Sequence, residues 1–212
     1  ERLQFRFGGQ QAESDANAAF FLFAFIVGIF LMSILLMVQL NSFYQVFIIV
    51  SAVILSTAGV QLGYLVTQQI SSALFTSLGV IALAGIVVNN NIVLVDTYNV
   101  ISRENPNLSR DQIVVRTAAQ RLRPIILTTA TTVIGLLPLA SGIGVDFYQR
   151  NVEIGGRVSE WWQPMSFAVV CGLSFASAIT LFLTPCWLKL PVTIRNTFNN
   201  LKNTFIRTAS ER

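Results

Sequence analysis

The stretch ALAGIVVNNNIVLVD, residues 82–96, decides how this chain is read. It lies inside a long apolar run, yet it carries Asn89, Asn90 and Asn91 in a row and ends in the carboxylate of Asp96. Polar groups at bilayer depth are costly, so they usually face a protein interior or a water-filled path. About seven residues make nearly two helical turns, which puts Asn89 and Asp96 close to one helix face. Ala82 and Gly85 continue that face, and small residues let a neighbouring helix approach closely. The segment reads as the polar spine of a membrane bundle.

Composition points the same way. The chain is 53% hydrophobic and 11% charged, against roughly 25% charged for a soluble domain. No Asp, Glu, Lys or Arg occurs between Asp15 and Asp96, a gap of about 80 residues where one span needs about 20. The expected class is an all-α membrane protein, a five-helix transmembrane bundle. A β-barrel is disfavoured because the runs are continuously apolar rather than alternating. The chain has no His, which leaves soft-metal chemistry little to work with. Cys171 and Cys186 fall in or beside apolar runs and read as packed thiols rather than a disulfide. The opening residues are polar and lack a signal-peptide pattern, so the start reads as the end of an earlier domain.

Working outward, residues 1–15 alternate at Leu3, Phe5 and Phe7 and then break at Gly8-Gly9, which suits a short strand and a turn. Glu13 and Asp15 precede the first span, where acids favour a helix N-terminus. Spans are expected at about residues 16–40, 44–66, 72–98, 124–140 and 164–188, with the bundle occupying 16–188. Asn41-Ser42 is a turn signal between the first two. Gly59 and Gly63, four apart, fit a packing seam. They equally fit the ordinary glycine content of spanning helices, and the ordinary reading ranks first.

Residues 103–123 are the first charge-rich segment after the gap. Pro106 breaks the preceding helix, and Ser109 with Gln112 forms a capping-box pattern. Val114, Ala118 and Leu122 then recur at four-residue spacing, so residues 109–123 read as a short amphipathic helix at the membrane surface. Pro124 suits the first turn of the fourth span. Thr128, Thr129, Thr131 and Thr132 follow, and threonine in a span commonly bonds its own backbone. Arg121, Thr128 and Gly135 share one face at heptad spacing, which fits a cross-helix role. Residues 141–160 read as a polar loop, and Trp161-Trp162 as an interfacial belt at the start of span five. The tail, 189–212, is basic with an amphipathic hint.

With five spans the two ends lie on opposite sides. The 103–123 loop and the tail collect about ten basic residues, the other side about four, and the positive-inside rule puts the richer side in the cytoplasm.

Four stretches carry a family resemblance: GGQQAES at 8–14, GVIALAGIVVNNNIVLVD at 79–96, RLRPIILTTATTVIGLLPLA at 121–140 and WWQPMSFAVVCGL at 161–173. In this order and spacing the chain resembles the C-terminal transmembrane half of RND-superfamily efflux pumps, the hydrophobe/amphiphile exporters of bacterial inner membranes. The resemblance covers nearly the whole chain, ending before the 189–212 tail. It implies the last five of twelve spans, with the first helix of that half missing. Residues 1–15 would then be the exit from a periplasmic domain, the N-terminus periplasmic and the C-terminus cytoplasmic. It implies a proton-driven exporter of amphiphilic or toxic compounds, a homotrimer working with a periplasmic adaptor and an outer-membrane channel. It further implies that the proton-carrying aspartates lie in the N-terminal half of the same transporter, with this half supplying partners to them, and that the bundle contacts membrane lipid.

The family's intramembrane lysine would fall at Asn89, and its arginine and threonine at Arg121 and Thr128. Asn89 is a departure, because an amide can solvate a carboxylate but carries no charge. Asn91 is another, since the family often has Ala there. Adjacent residues turn about 100° apart, so Asn90 and Asn91 cannot both share the face of Asn89. Asp96 reads either as an end charge reaching the interface or as part of cytoplasmic proton exit. The candidate relay is thus Asn89, Asn90, Asp96, Arg121 and Thr128.

Three alternatives stand beside the exporter: a non-drug RND member assisting protein or lipid export, an inactive fragment, and an intramembrane enzyme. An aspartyl mechanism needs two carboxylates sharing a site, and Asp96 is the only acid in a span. Without His no Ser/His arrangement forms. The chain reads as no enzyme, with no catalytic residue, cofactor, metal or nucleic-acid partner.

Overall fold

The computed structural model describes residues 10–69, 71–146 and 151–210, with side chains described for 16–69, 71–143, 155–156 and 159–190. Five helices dominate: α1 Gln10–Leu40, α2 Phe43–Thr67, α3 Ala73–Glu104, α4 Arg110–Ala140 and α5 Arg157–Ser210. All five are long and apolar enough to cross a membrane. The strand expected at Leu3–Phe7 lies outside the described residues. Helix α1 is already under way at Gln10, which brings Glu13 and Asp15 into its opening turns.

The helices start and stop where local chemistry says they should. Asn41 adopts φ 48° between α1 and α2, a left-handed turn that asparagine tolerates better than most residues. Helix α3 stops at Glu104, just before Asn105 and Pro106. The Ser109 hydroxyl accepts from the Gln112 amide, and the Gln112 side chain accepts from the Ser109 amide. That is the reciprocal cap the sequence signals.

Three features differ from the sequence expectation. First, the amphipathic segment and the fourth span are one helix, α4, with Pro124 inside it. Proline removes one backbone donor there; Pro124 is exposed, while its neighbour Ile125 is buried. The buried side of that segment is Ile113, Val114 and Thr117, while Leu122 is exposed. Ile113 and Val114 join Leu94, Tyr98 and Ile101 of α3 and Leu188 of α5 in one apolar cluster, so the segment packs on the bundle. Second, the expected 141–160 loop contains an antiparallel hairpin, β1 Ile143–Asp146 with β2 Asn151–Ile154. Gly142 and Gly155 flank it at φ 78° and 85°, a region glycine enters freely. The Gly155 amide closes the base on the Gly142 carbonyl at 3.0 Å. Third, α5 runs unbroken into what reads as the tail.

Helix α5 is the axis of the bundle and packs on α2, α3 and α4. Close approach requires glycine at the seams. A Cβ on Gly59 would stand 2.5 Å from Phe175 Cβ, and one on Gly63 2.5 Å from Cys171 Cβ. The two glycines are therefore a packing seam after all, the reading that ranked second. Gly79 meets the Met165 carbonyl and Ala168 in the same way, and Gly172 meets Leu83 and Val60. Cys171 and Cys186 are free thiols, the former packed at the Gly63 seam and the latter exposed.

Burial divides the spans into two groups. In the most apolar stretch of α2, α3 and α5 about half the residues are buried (44%, 44% and 50%), against 6% for α1 and α4. The inner three build a core of Val53, Val60, Leu83, Val87, Ala168 and Leu173. Tyr64 ties their ends, donating to the Pro164 carbonyl at 2.7 Å and meeting the Thr76 hydroxyl at 3.0 Å.

Candidate functional site

The three asparagines point three ways, as the turn of about 100° per residue demands. Asn89 is exposed, on the same open side of α3 as Ala82, Gly85 and Asp96. A Cβ added at Gly85 would touch nothing within 4 Å. Asn90 is half-buried and lines a narrow crevice, too tight to hold a water molecule, with Val87, Ile125, Leu173, Ala176, Ser177 and Thr180. Asn91 is fully enclosed. Its amide donates to the Val87 carbonyl at 3.0 Å, and its oxygen accepts from Thr184 of α5 at 3.0 Å.

On α4, Arg121 reaches across to α3. Its Nε donates to the Thr97 hydroxyl at 2.5 Å. Thr97 is itself buried and donates its proton to the Val93 carbonyl at 2.7 Å. With that proton committed, the lone pairs of Thr97 are left to orient the guanidinium.

Thr128 is exposed and donates to the Ile125 carbonyl of its own helix at 3.0 Å. Thr131 and Thr132 likewise bond their own backbone. The hydroxyl that crosses between helices is Thr129, 2.7 Å from Ser177 of α5. Heptad spacing from Arg121 picked the neighbour of the crossing residue. Gly135, on the Thr128 side, is as open as Gly85.

The structure thus corrects one expectation: Asn89 and Thr128 are not hidden within this chain. It does bring them to one level of the bundle, since Asn90 and Ile125, their near neighbours, line a single crevice. Asp96 stays exposed beside the Thr97–Arg121 contact. Five residues of the site are not among the sequence candidates: Thr97, Thr129, Ser177, Thr180 and Thr184. Ser177, Thr180 and Thr184 were visible as polar residues in span five. Their spacing of three and then four residues marks one helix face, but nothing in the chain order pairs that face with the asparagines.

Five helices long and apolar enough to cross a membrane, with polar side chains paired between them, define the class as a helical multi-span membrane bundle. The chain belongs to the AcrB/AcrD/AcrF family, whose model matches residues 1–190. Among curated relatives it is 34% identical to the multidrug resistance protein MdtC of Citrobacter koseri and of Klebsiella pneumoniae subsp. pneumoniae, and 33% identical to that of Escherichia coli. Each match spans 134 residues, 62% of this chain and 12% of the relative. Among solved structures a heavy metal efflux pump matches 78% of this chain and 15% of its own length, at 30% identity and a TM-score of 0.62. The chain therefore spans about an eighth of the length of the relatives it matches. The curated relatives are named for multidrug resistance and the solved structure for heavy metal efflux.

Proposed function

We propose that this chain is the membrane portion of a proton-driven exporter that answers charge changes on a helix lying outside it. The observation that carries this reading is that Gly85 and Asn89 on α3 and Thr128 and Gly135 on α4 are all exposed, with free space beside both glycines, which we read as one open face. An amide at bilayer depth is costly against lipid, and two glycines with free space beside them suit close approach of another helix. A plain membrane anchor would present apolar side chains there, as α1 does with Phe23, Phe30, Leu35 and Val38. In the proposed relay Arg121, held by Thr97, and the amide of Asn89 solvate a carboxylate on the facing helix, and Asn90 backs them from the crevice it shares with α4 and α5. The protonation state of that carboxylate then biases a two-state movement of the bundle. Asn89 is uncharged, so Arg121 is the cation of this face. Asp96 and Thr128 belong to the same face and complete the relay.

In this reading the N-terminal half of the same transporter covers the face, and the working unit is a homotrimer in the bacterial inner membrane. Residues 1–15 leave a periplasmic domain, 16–188 form the bundle and 189–212 a cytoplasmic tail. A periplasmic adaptor and an outer-membrane channel complete the route for amphiphilic compounds. The drug-resistance name of the relatives supports that cargo class.

The test is efflux by the full-length transporter carrying Arg121→Ala or Thr128→Ala. Efflux is expected to fall to that of cells lacking the pump, at unchanged protein levels. Normal efflux in both variants removes the relay assignment.

A further inference from the structure

We infer that Asn91 and Thr184 form a rotational lock between α3 and α5, and that these two positioning residues set which way Asn89 and Asn90 face. The inference rests on the relay reading only for its consequence in transport; the lock itself stands on geometry.

Both residues are buried, Asn91 at 0% and Thr184 at 1% exposure. Both ends of the amide are engaged: its nitrogen donates to the Val87 carbonyl one turn back, and its oxygen accepts from Thr184. The amide has one orientation that satisfies both partners. Around it, α3 meets α5 through small or apolar groups: Gly79 against Ala168, and Leu83 against Gly172. Such surfaces give close contact but discriminate weakly between neighbouring rotations of a helix. A buried polar pair discriminates strongly, because any other rotation leaves a donor and an acceptor unpaired in an apolar interior.

Rotation is the variable that matters here. Turning α3 by one residue, about 100°, would carry Asn90 out of its crevice and Asn89 off the open face. Helix α5 holds α4 by the same side, since Ser177 meets Thr129 and lies on the face that carries Thr180 and Thr184. One hydroxyl face on α5 therefore seats both helices that carry the candidate relay.

The experiment uses the full-length transporter without other cysteines, carrying Asn90→Cys as a reporter, in native membranes. Maleimide labelling of that cysteine is compared with and without Thr184→Val. Loss of the lock is expected to raise the labelling rate about threefold to fifteenfold, the range spanned by intramembrane interhelical hydrogen bonds. Thr184→Ser keeps the hydroxyl and is expected to label at the parent rate. Should Thr184→Val fail to accumulate, Asn91→Ala with Thr184→Val leaves no buried polar group unpaired and is expected to show the same increase. Equal labelling in the parent and the lock variants overturns the lock, as does a Thr184→Ser rate matching Thr184→Val. With Asn90 restored, Thr184→Val is expected to lower efflux severalfold and Thr184→Ser to restore it. Full efflux in Thr184→Val overturns the positioning role. Labelling needs no transport, so a failure of the lock is read separately from a failure of the relay, which Arg121→Ala and Thr128→Ala report.

Discussion

The two sides of α3 carry the same residue type and treat it in opposite ways. Toward α5, Asn91 is enclosed and both ends of its amide are bonded. Toward the outside, Asn89 stands open beside Gly85, with free space where a neighbour would pack. Only one residue, Asn90, lies between them. The inner side behaves like the core of a finished protein, with polar groups paired and glycines used to bring backbones together. The outer side sets Ala82, Gly85, Asn89 and Asp96 among exposed Ile81 and Val93, and no such pairing of Asn89 occurs among the described residues, which suits a surface made to meet another helix. The lesson is that polarity in a spanning segment does not by itself identify the working residue; direction does.

The contrast breaks most visibly at the glycines. Gly59→Ala drives a Cβ into Phe175 Cβ, 2.5 Å away. Neither atom can swing aside, so α2 and α5 must separate, at an expected cost of about 3 kcal/mol. Gly85→Ala meets nothing within 4 Å and is expected to leave stability within about 0.5 kcal/mol of the parent. Thermal unfolding of the 212-residue chain in detergent, where no helix from outside the chain covers Gly85 or Asn89, measures both. A large loss from Gly85→Ala would show that the outer side is packed as tightly as the inner.

A smaller effect separates the asparagines. Asn91→Ala leaves the Thr184 hydroxyl buried without its acceptor, and the expected loss is about 2 kcal/mol. Asn89→Ala is expected to stay within about 0.5 kcal/mol in the same unfolding assay. Equal losses would erase the distinction between the two sides. The smallest effect is expected at the end of the bundle, where Lys189 and Asp111 pair at 3.0 Å with half or more of each side chain exposed. Asp111→Asn is expected to cost no more than about 0.5 kcal/mol, less in high salt.

Much of the architecture was legible beforehand because it follows from short-range chemistry. The charge-free gap announced several spans, Asn41-Ser42 the first turn, and Ser109 with Gln112 the start of α4. The hairpin was not legible: four-residue strands carry too little alternation to stand out from a polar loop. Nor was the continuity of α4 through Pro124. A first-turn proline and one tolerated inside a helix look alike until the packing of Ile113 and Val114 is known.

The site divides along the same line. The presence of costly amides at bilayer depth, and the separation of Asn89 from Asn91 around the helix, follow from residue type and helical pitch alone. Which asparagine would be enclosed does not, because that depends on where α5 lies, and α5 is contributed from about 90 residues downstream. The same holds for Thr97 beneath Arg121 and for Thr129 rather than Thr128 against Ser177. Pitch tells which residues share a face; only the packing of one helix on another tells what that face meets.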